Sequence, residues 1–219
     1  MGVVIALGAG AAGAAGLMIA GLYRPLTARW LVYVFKPLAT ILILVLALFG
    51  MVVEPSRYAI AVVVGLVFSL AGDVFLMLPS DRFREGLASF LLAHIAYLVA
   101  FTVAVGWASP AWPYLAWAVL AVPLVSRLWP GVPRQLRPAV GVYMLVLLAM
   151  AAQAMSRALA LGDAAAWLAA AGAVLFVVSD YSLALDRFTR RFVAAPALVH
   201  VTYYAAQWLI ALSIGFAAA

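Results

Sequence analysis

Eight times along the chain, about 20 residues pass with almost no charge, the length of helix that crosses a bilayer. The runs lie near 2–22, 31–50, 58–78, 86–106, 110–127, 138–157, 164–185 and 195–216. In hydrocarbon no water is present to satisfy backbone N–H and C=O groups, so runs of this length have to be helices. Composition agrees: of 219 residues, 69% are hydrophobic and 9% charged, with a mean hydropathy of +1.20. No hydrophilic block is long enough for a soluble domain. The expected fold is all-α: a polytopic membrane protein of eight transmembrane helices, residues 1–219 forming one integral membrane domain. The fifth run is short and carries Pro110, Pro113 and Pro123. Residues 2–22 lack the basic n-region and cleavage site of a signal peptide and are read as a first span. Ala6 stands where a myristoylation signal needs Ser or Thr.

The loops set orientation. Odd-numbered loops hold Arg24, Arg29, Arg82, Arg84, Arg127, Arg134, Arg137, Arg187, Arg190 and Arg191, against Arg57 and Arg157 in the even-numbered ones. That bias places the odd loops in the cytoplasm and both termini outside, in a multi-pass protein of the plasma membrane (the inner membrane of a bacterium). The formal charge of +6 therefore reads as topology and attraction to lipid phosphate, and no nucleic-acid partner is expected. With no cysteine, disulfides and thiolate metal sites are excluded.

Against this apolar frame a few polar residues stand out, because an ionisable group in hydrocarbon is expensive and usually faces a cavity or a partner. Asp73 lies in the run Phe68–Met77 and Asp180 in Phe176–Ala184. Gly65, Ser69 and Asp73 recur at four-residue steps, one stripe of the third helix that should face the bundle. His94, Tyr97 and Phe101 share a face of the fourth; an isolated histidine on such a face is more often a hydrogen-bonded core residue than a catalyst. In the last span His200, Tyr203, Tyr204 and Gln207 fall on one side, too dense a polar stripe to face lipid. Ser179 precedes Asp180. Lys36, followed by Pro37, either snorkels to the interface or turns inward to pair with a carboxylate. The Gly/Ala-rich first span suits close helix packing and is assigned no chemistry.

The two halves echo each other. Asp73 precedes Asp81-Arg-Phe, His94 and Tyr97; Asp180 precedes Asp186-Arg-Phe, His200 and Tyr203. Asp-to-His spacing is 21 residues in one half and 20 in the other. Four spans separate the copies, so 1–106 and 110–219 are expected to be parallel repeats related by an axis along the membrane normal. Each aspartate lies five residues before its span's cytoplasmic end, about 8 Å deep by helical rise. Lys36 and His200 fall at similar depth and His94 a little deeper, so five ionisable groups share one layer. Two carboxylates in a low-dielectric pocket should not both be charged. One held as carboxylate beside a cation and one protonated would give the acid and base that proton-transfer catalysis needs.

The Gly72-Asp73 run, Gly86-Leu-Ala-Ser-Phe-Leu-Leu-Ala-His-Ile-Ala-Tyr97, Phe176-Val-Val-Ser-Asp180 and Tyr203-Tyr-Ala-Ala-Gln207 resemble the YhhN-like integral membrane family, which includes lysoplasmalogenase and its vertebrate transmembrane relatives. The resemblance covers spans 2 to 8. It implies hydrolysis of the vinyl ether bond of lysoplasmalogens to a fatty aldehyde and a glycerophospho-ethanolamine or -choline. The matching positions are Lys36, Asp73, His94, Tyr97, Asp180, Tyr203 and Gln207. The expectation is an ether hydrolase with Asp73 and Asp180 as catalytic acid and base, supported by Lys36, His94, Tyr97, Ser179, His200, Tyr203, Tyr204 and Gln207. Its partners would be a vinyl ether lysophospholipid and membrane lipid; no metal or cofactor is expected. Arg82, Arg84, Arg187, Arg190 and Arg191 would meet the lipid phosphate at the mouth.

Three other readings compete. A zinc lipid hydrolase wants three histidines and an acid, and the chain has two histidines. A serine nucleophile is disfavoured because Ser69, Ser179 and Ser182 stand outside any Gly-x-Ser-x-Gly elbow. A lipid or small-molecule transporter with an intramembrane proton relay is the principal alternative.

Overall fold

A computed structural model describes residues 2–24 and 26–215; residue 216, the end of the expected eighth span, lies outside them. The described residues form eight α-helices and no strand: α1 Gly2–Leu22, α2 Arg29–Val53, α3 Arg57–Met77, α4 Phe83–Thr102, α5 Trp112–Leu128, α6 Arg137–Leu161, α7 Ala164–Phe188 and α8 Ala195–Leu212. Six of them, α1 to α4, α6 and α7, are long and apolar enough on those grounds alone to cross a membrane. α5 has only 17 residues, and α8 interrupts its apolar run with a polar stripe. Local chemistry sets several ends. Ser56 Oγ accepts the Ala59 N–H at 3.1 Å to start α3, and Asp163 Oδ1 accepts that of Ala166 at 2.7 Å to start α7. Gly162, at φ 70°, closes α6 in the left-handed conformation that needs no Cβ.

Packing makes a ring. α2 lies against α3, α3 against α4, α4 against α6, α6 against α7, α7 against α8, and α8 against α2. α1 packs outside the ring on α2 and α8, and α5 outside it on α6. The seams are rich in fully buried alanine (Ala39, Ala47, Ala59, Ala93, Ala154, Ala173), which lets backbones approach where no hydrophobic effect drives helices together. Between α3 and α4 the approach is closer still: a Cβ on Gly65 would lie 2.3 Å from the Tyr97 ring, and one on Gly72 would lie 2.6 Å from Phe90. Large apolar side chains such as Val52, Leu115 and Leu145 point outward, as lipid-facing positions should.

Some span limits differ from expectation. α4 ends at Thr102, four residues early, and α5 starts at Trp112, two residues late. The connection between them is irregular, with Ala104 and Ala108 at positive φ, and α6 satisfies its backbone. Gln153 Nε2 donates to Gly106 O at 2.8 Å, Gln153 Oε1 accepts the Ala108 N–H at 3.0 Å, and Ser156 Oγ donates to Pro110 O at 2.7 Å. Arg157, expected among the loop charges, instead lies within α6, its guanidinium donating to Val103 O and stacked 4.5 Å over Tyr58. α7 runs to Phe188, past the expected end at 185, so Asp180 sits eight residues inside its helix rather than five.

The odd-numbered loops gather at one end. Tyr23 OH donates to Val193 O at 2.8 Å, Arg187 reaches Asp81 at 3.0 Å, and Gly131 packs directly on Phe188 O. That end holds most of the arginines.

Candidate active site

Each aspartate turns into the ring, Asp73 buried and Asp180 partly so, with its own set of partners drawn from both halves of the chain. Asp73, on α3, is 2% exposed. Its Oδ2 accepts from Thr40 Oγ1 of α2 at 2.6 Å and from Tyr203 OH of α8 at 2.7 Å. Lys36 Nζ, one turn before Thr40 on α2, lies 3.5 Å from Oδ1. Lys36 is 6% exposed, so of its two possible directions it takes the inward one.

Asp180, on α7, has a side chain 13% exposed. Its Oδ2 accepts from Tyr143 OH of α6 at 2.5 Å and lies 3.0 Å from His94 Nε2 of α4. The Tyr143 oxygen also lies 3.2 Å from that same nitrogen. Since the Tyr143 proton goes to the carboxylate, an Nε2–H on His94 satisfies both oxygens, which assigns that tautomer. Nδ1 is then the bare, unpartnered nitrogen. Both bonds use Oδ2, so Asp180 Oδ1 stays open to the cavity.

That cavity, of about 280 Å³, opens between the ring helices and α5, is mostly apolar and is bounded by both Asp73 and Asp180. Leu87, Leu147, Leu148 and Val177 form much of its wall, and Asp81, Arg82 and Arg187 border it at the basic end. Between the aspartates stands an aromatic partition. Phe176 meets Tyr203 edge-on at 5.5 Å and His94 at 4.6 Å, and Phe90 meets Tyr203 at 5.8 Å.

Six of the expected site residues line the cavity: Lys36, Asp73, Ser179, Asp180, His200 and Tyr203. The other four stand behind it. His94 orients Asp180, and Tyr97 OH donates to Gln207 Oε1 at 2.6 Å between α4 and α8. Tyr204 OH donates to the Lys36 carbonyl at 3.3 Å, fixing α8 to the helix that carries the lysine. Ser179 Oγ donates to Val199 O at 3.0 Å, a tie between α7 and α8 rather than a contact to either acid. His200 Nδ1 lies 2.7 Å from the carbonyl of Pro196 in its own helix, and it touches neither aspartate.

Two residues of the site escaped sequence reading. Thr40 carried a signal: it is four residues after Lys36 and therefore on the same helix face. Tyr143 carried a weaker one, because a tyrosine in the second turn of a span is also what the aromatic belt of any membrane helix shows. At the mouth, Arg187 reaches both carboxylate oxygens of Asp81 at 3.0 Å and stacks 4.0 Å over Phe83. Arg82 pairs with Glu85 at 3.3 Å. These two arginines are therefore already engaged.

Comparison with known proteins finds relatives over most of the chain. It matches the YhhN family over residues 31–214. Bovine lysoplasmalogenase TMEM86A is 36% identical over 160 residues, covering 71% of this chain. The match spans 65% of the bovine protein's own length. Human lysoplasmalogenase TMEM86B is 36% identical over 174 residues, 78% of this chain and 71% of the relative. The membrane protein YhhN of Escherichia coli O157:H7, itself uncharacterized, is 30% identical over 205 residues, 91% of this chain and 94% of its own. No solved structure matches. With a family match running from the start of α2 to beyond the end of α8, the chain belongs to the YhhN family.

Proposed function

We propose that the chain hydrolyses the vinyl ether bond of lysoplasmalogens within the membrane, releasing a fatty aldehyde and a glycerophospho head-group product. The observation that carries this reading is an apolar cavity bounded by two aspartates with unlike partners. The names of the vertebrate relatives point to the same chemistry.

A vinyl ether hydrolyses when its β-carbon takes a proton, leaving an oxocarbenium ion. Water adds to that cation, and the hemiacetal collapses to aldehyde and alcohol. Asp180 is the donor in this scheme: among the described residues no lysine or arginine pairs with it, Oδ2 is occupied by Tyr143 and His94, and Oδ1 is left to deliver the proton. Asp73 acts as the carboxylate, with Lys36 Nζ 3.5 Å from Oδ1 and the Thr40 and Tyr203 hydroxyls donating to Oδ2. Its charge stabilises the cation and its oxygen takes the proton of the attacking water, a division of labour like that of paired glycosidase carboxylates. Tyr143 and His94 position the acid; Tyr97, Gln207 and Tyr204 hold α4 and α8 around it.

The reading places the basic end and the cavity mouth in the cytoplasm and both termini outside. It also takes the chain as one domain of two parallel repeats. The support is that α2 and α8 surround Asp73 as α6 and α4 surround Asp180, so advancing each helix number by four maps one set onto the other.

Purified protein in proteoliposomes, given a vinyl ether lysolipid in deuterated water, should release aldehyde carrying one deuterium on the carbon next to the carbonyl. Uptake of the lysolipid without cleavage would instead favour a transporter, and aldehyde without deuterium at that carbon would refute the protonation step.

A further inference from the structure

A second cavity, of about 490 Å³, lies at the basic end beside the first, between the α1–α2 turn and the end of α3. The two cavities share Lys36, Leu76, Leu78, Asp81 and His200 as a common wall. Their characters differ. The first is largely apolar, whereas the second is bordered by Arg24, Arg29 and Tyr33.

The charges facing this second space can be paired off. Lys36 is matched by Asp73 and Asp81 by Arg187. Neither Arg24 nor Arg29 has a carboxylate partner among the described residues. Two uncompensated guanidinium groups therefore border a polar chamber separated by one wall from the buried acids. In a lysophospholipid only a three-carbon glycerol backbone separates the ether from an anionic phosphate. A lipid seated with its ether at Asp73 and Asp180 thus has its phosphate close to this wall.

Resting on the hydrolase reading, we infer that Arg24 and Arg29 form the binding site for the phosphate of the lysolipid head group. The chain and ether enter the apolar cavity past Lys36. Arg82 and Arg187, the more obvious choices from sequence, are each paired with a carboxylate, Glu85 and Asp81, that offsets their charge. Guanidinium groups suit the role because they are always charged and donate in a planar fork that matches phosphate oxygens.

The test uses binding, so it does not depend on turnover. Asp180→Asn protein in detergent is titrated with an uncleavable alkyl ether lysophosphoethanolamine and, separately, with the matching alkylglycerol that lacks phosphate. Adding Arg24→Gln and Arg29→Gln should weaken the phospholipid roughly ten- to hundred-fold and leave the alkylglycerol unchanged. Arg24→Lys with Arg29→Lys should recover part of the loss, which separates a binding role from misfolding. Free glycerophosphate should compete with the phospholipid in the parent protein, and not in the Gln pair. Arg190→Gln with Arg191→Gln, at the same end but lining neither cavity, serves as control. Equal loss for both ligands, no loss for either, or an equal loss in the control would overturn the assignment.

Discussion

Removing the ammonium group from Lys36 tests how the buried charges are balanced. At 3.5 Å two unit charges attract by about 5 kcal/mol at an effective dielectric of about 20. Lys36→Met keeps most of the lysine stem and its packing but leaves Asp73, 2% exposed, without its cation. Asp73 can escape by taking up a proton, which for a carboxyl of ordinary pKa about 4 costs about 4 kcal/mol at pH 7. The cheaper route caps the damage, so the variant should lose about 3–4 kcal/mol, roughly ten degrees in melting temperature for a chain of this size. Adding Asp73→Asn removes the stranded charge while its amide oxygen still accepts from Thr40 and Tyr203. That double variant should recover most of the loss, since a buried pair replaced whole is often nearly neutral. The assay is thermal unfolding in one fixed detergent. A single variant as stable as the parent, or a double variant no better than the single, would refute the charge assignment.

Other variants probe neighbouring contacts. Tyr143→Phe removes the donor 2.5 Å from Asp180 while keeping the ring, and should lower kcat roughly ten- to hundred-fold with KM little changed; steady-state kinetics checks it. Gly65→Ala puts a Cβ 2.3 Å from the Tyr97 ring, forcing the ring from Gln207 and destabilising the fold by about 1–3 kcal/mol in denaturant melts. Gln153→Leu strips the irregular α4–α5 connection of its partners at Gly106 and Ala108. Limited proteolysis should then cut within residues 103–111 faster than in the parent.

The apolar frame and its two acids were legible because hydrocarbon makes a lone aspartate conspicuous. The stripes through Asp73 and through Tyr203 and Gln207 were legible from helical periodicity alone. Direction and partnership were not. Lys36 stands at a depth from which a flexible stem reaches either the interface or the core, and only the location of Asp73 on a neighbouring helix decides between them. Tyr143 looks like any interfacial tyrosine until α6 is seen against α7. His94 and His200 hold matching places in sequence, yet His94 meets Asp180 whereas His200 turns to the Pro196 carbonyl, since hydrogen-bond choice depends on what α6 and α2 present. Hydropathy also misplaces helix ends. It marks where apolar residues stop, whereas α7 continues through Asp186 and Arg187 and α4 stops within an apolar run because Gln153, Ser156 and Arg157 offer its exit segment better partners.

In this account one aspartate gives the proton that starts the cleavage and the other acts as a carboxylate. The most direct test of this division is the single-turnover rate of aldehyde release from a vinyl ether lysolipid by Asp73→Asn and Asp180→Asn, each shown to be folded and to bind the uncleavable alkyl ether analogue. Each variant should lose at least about a hundred-fold in rate. Release at the parent rate from either one would contradict it.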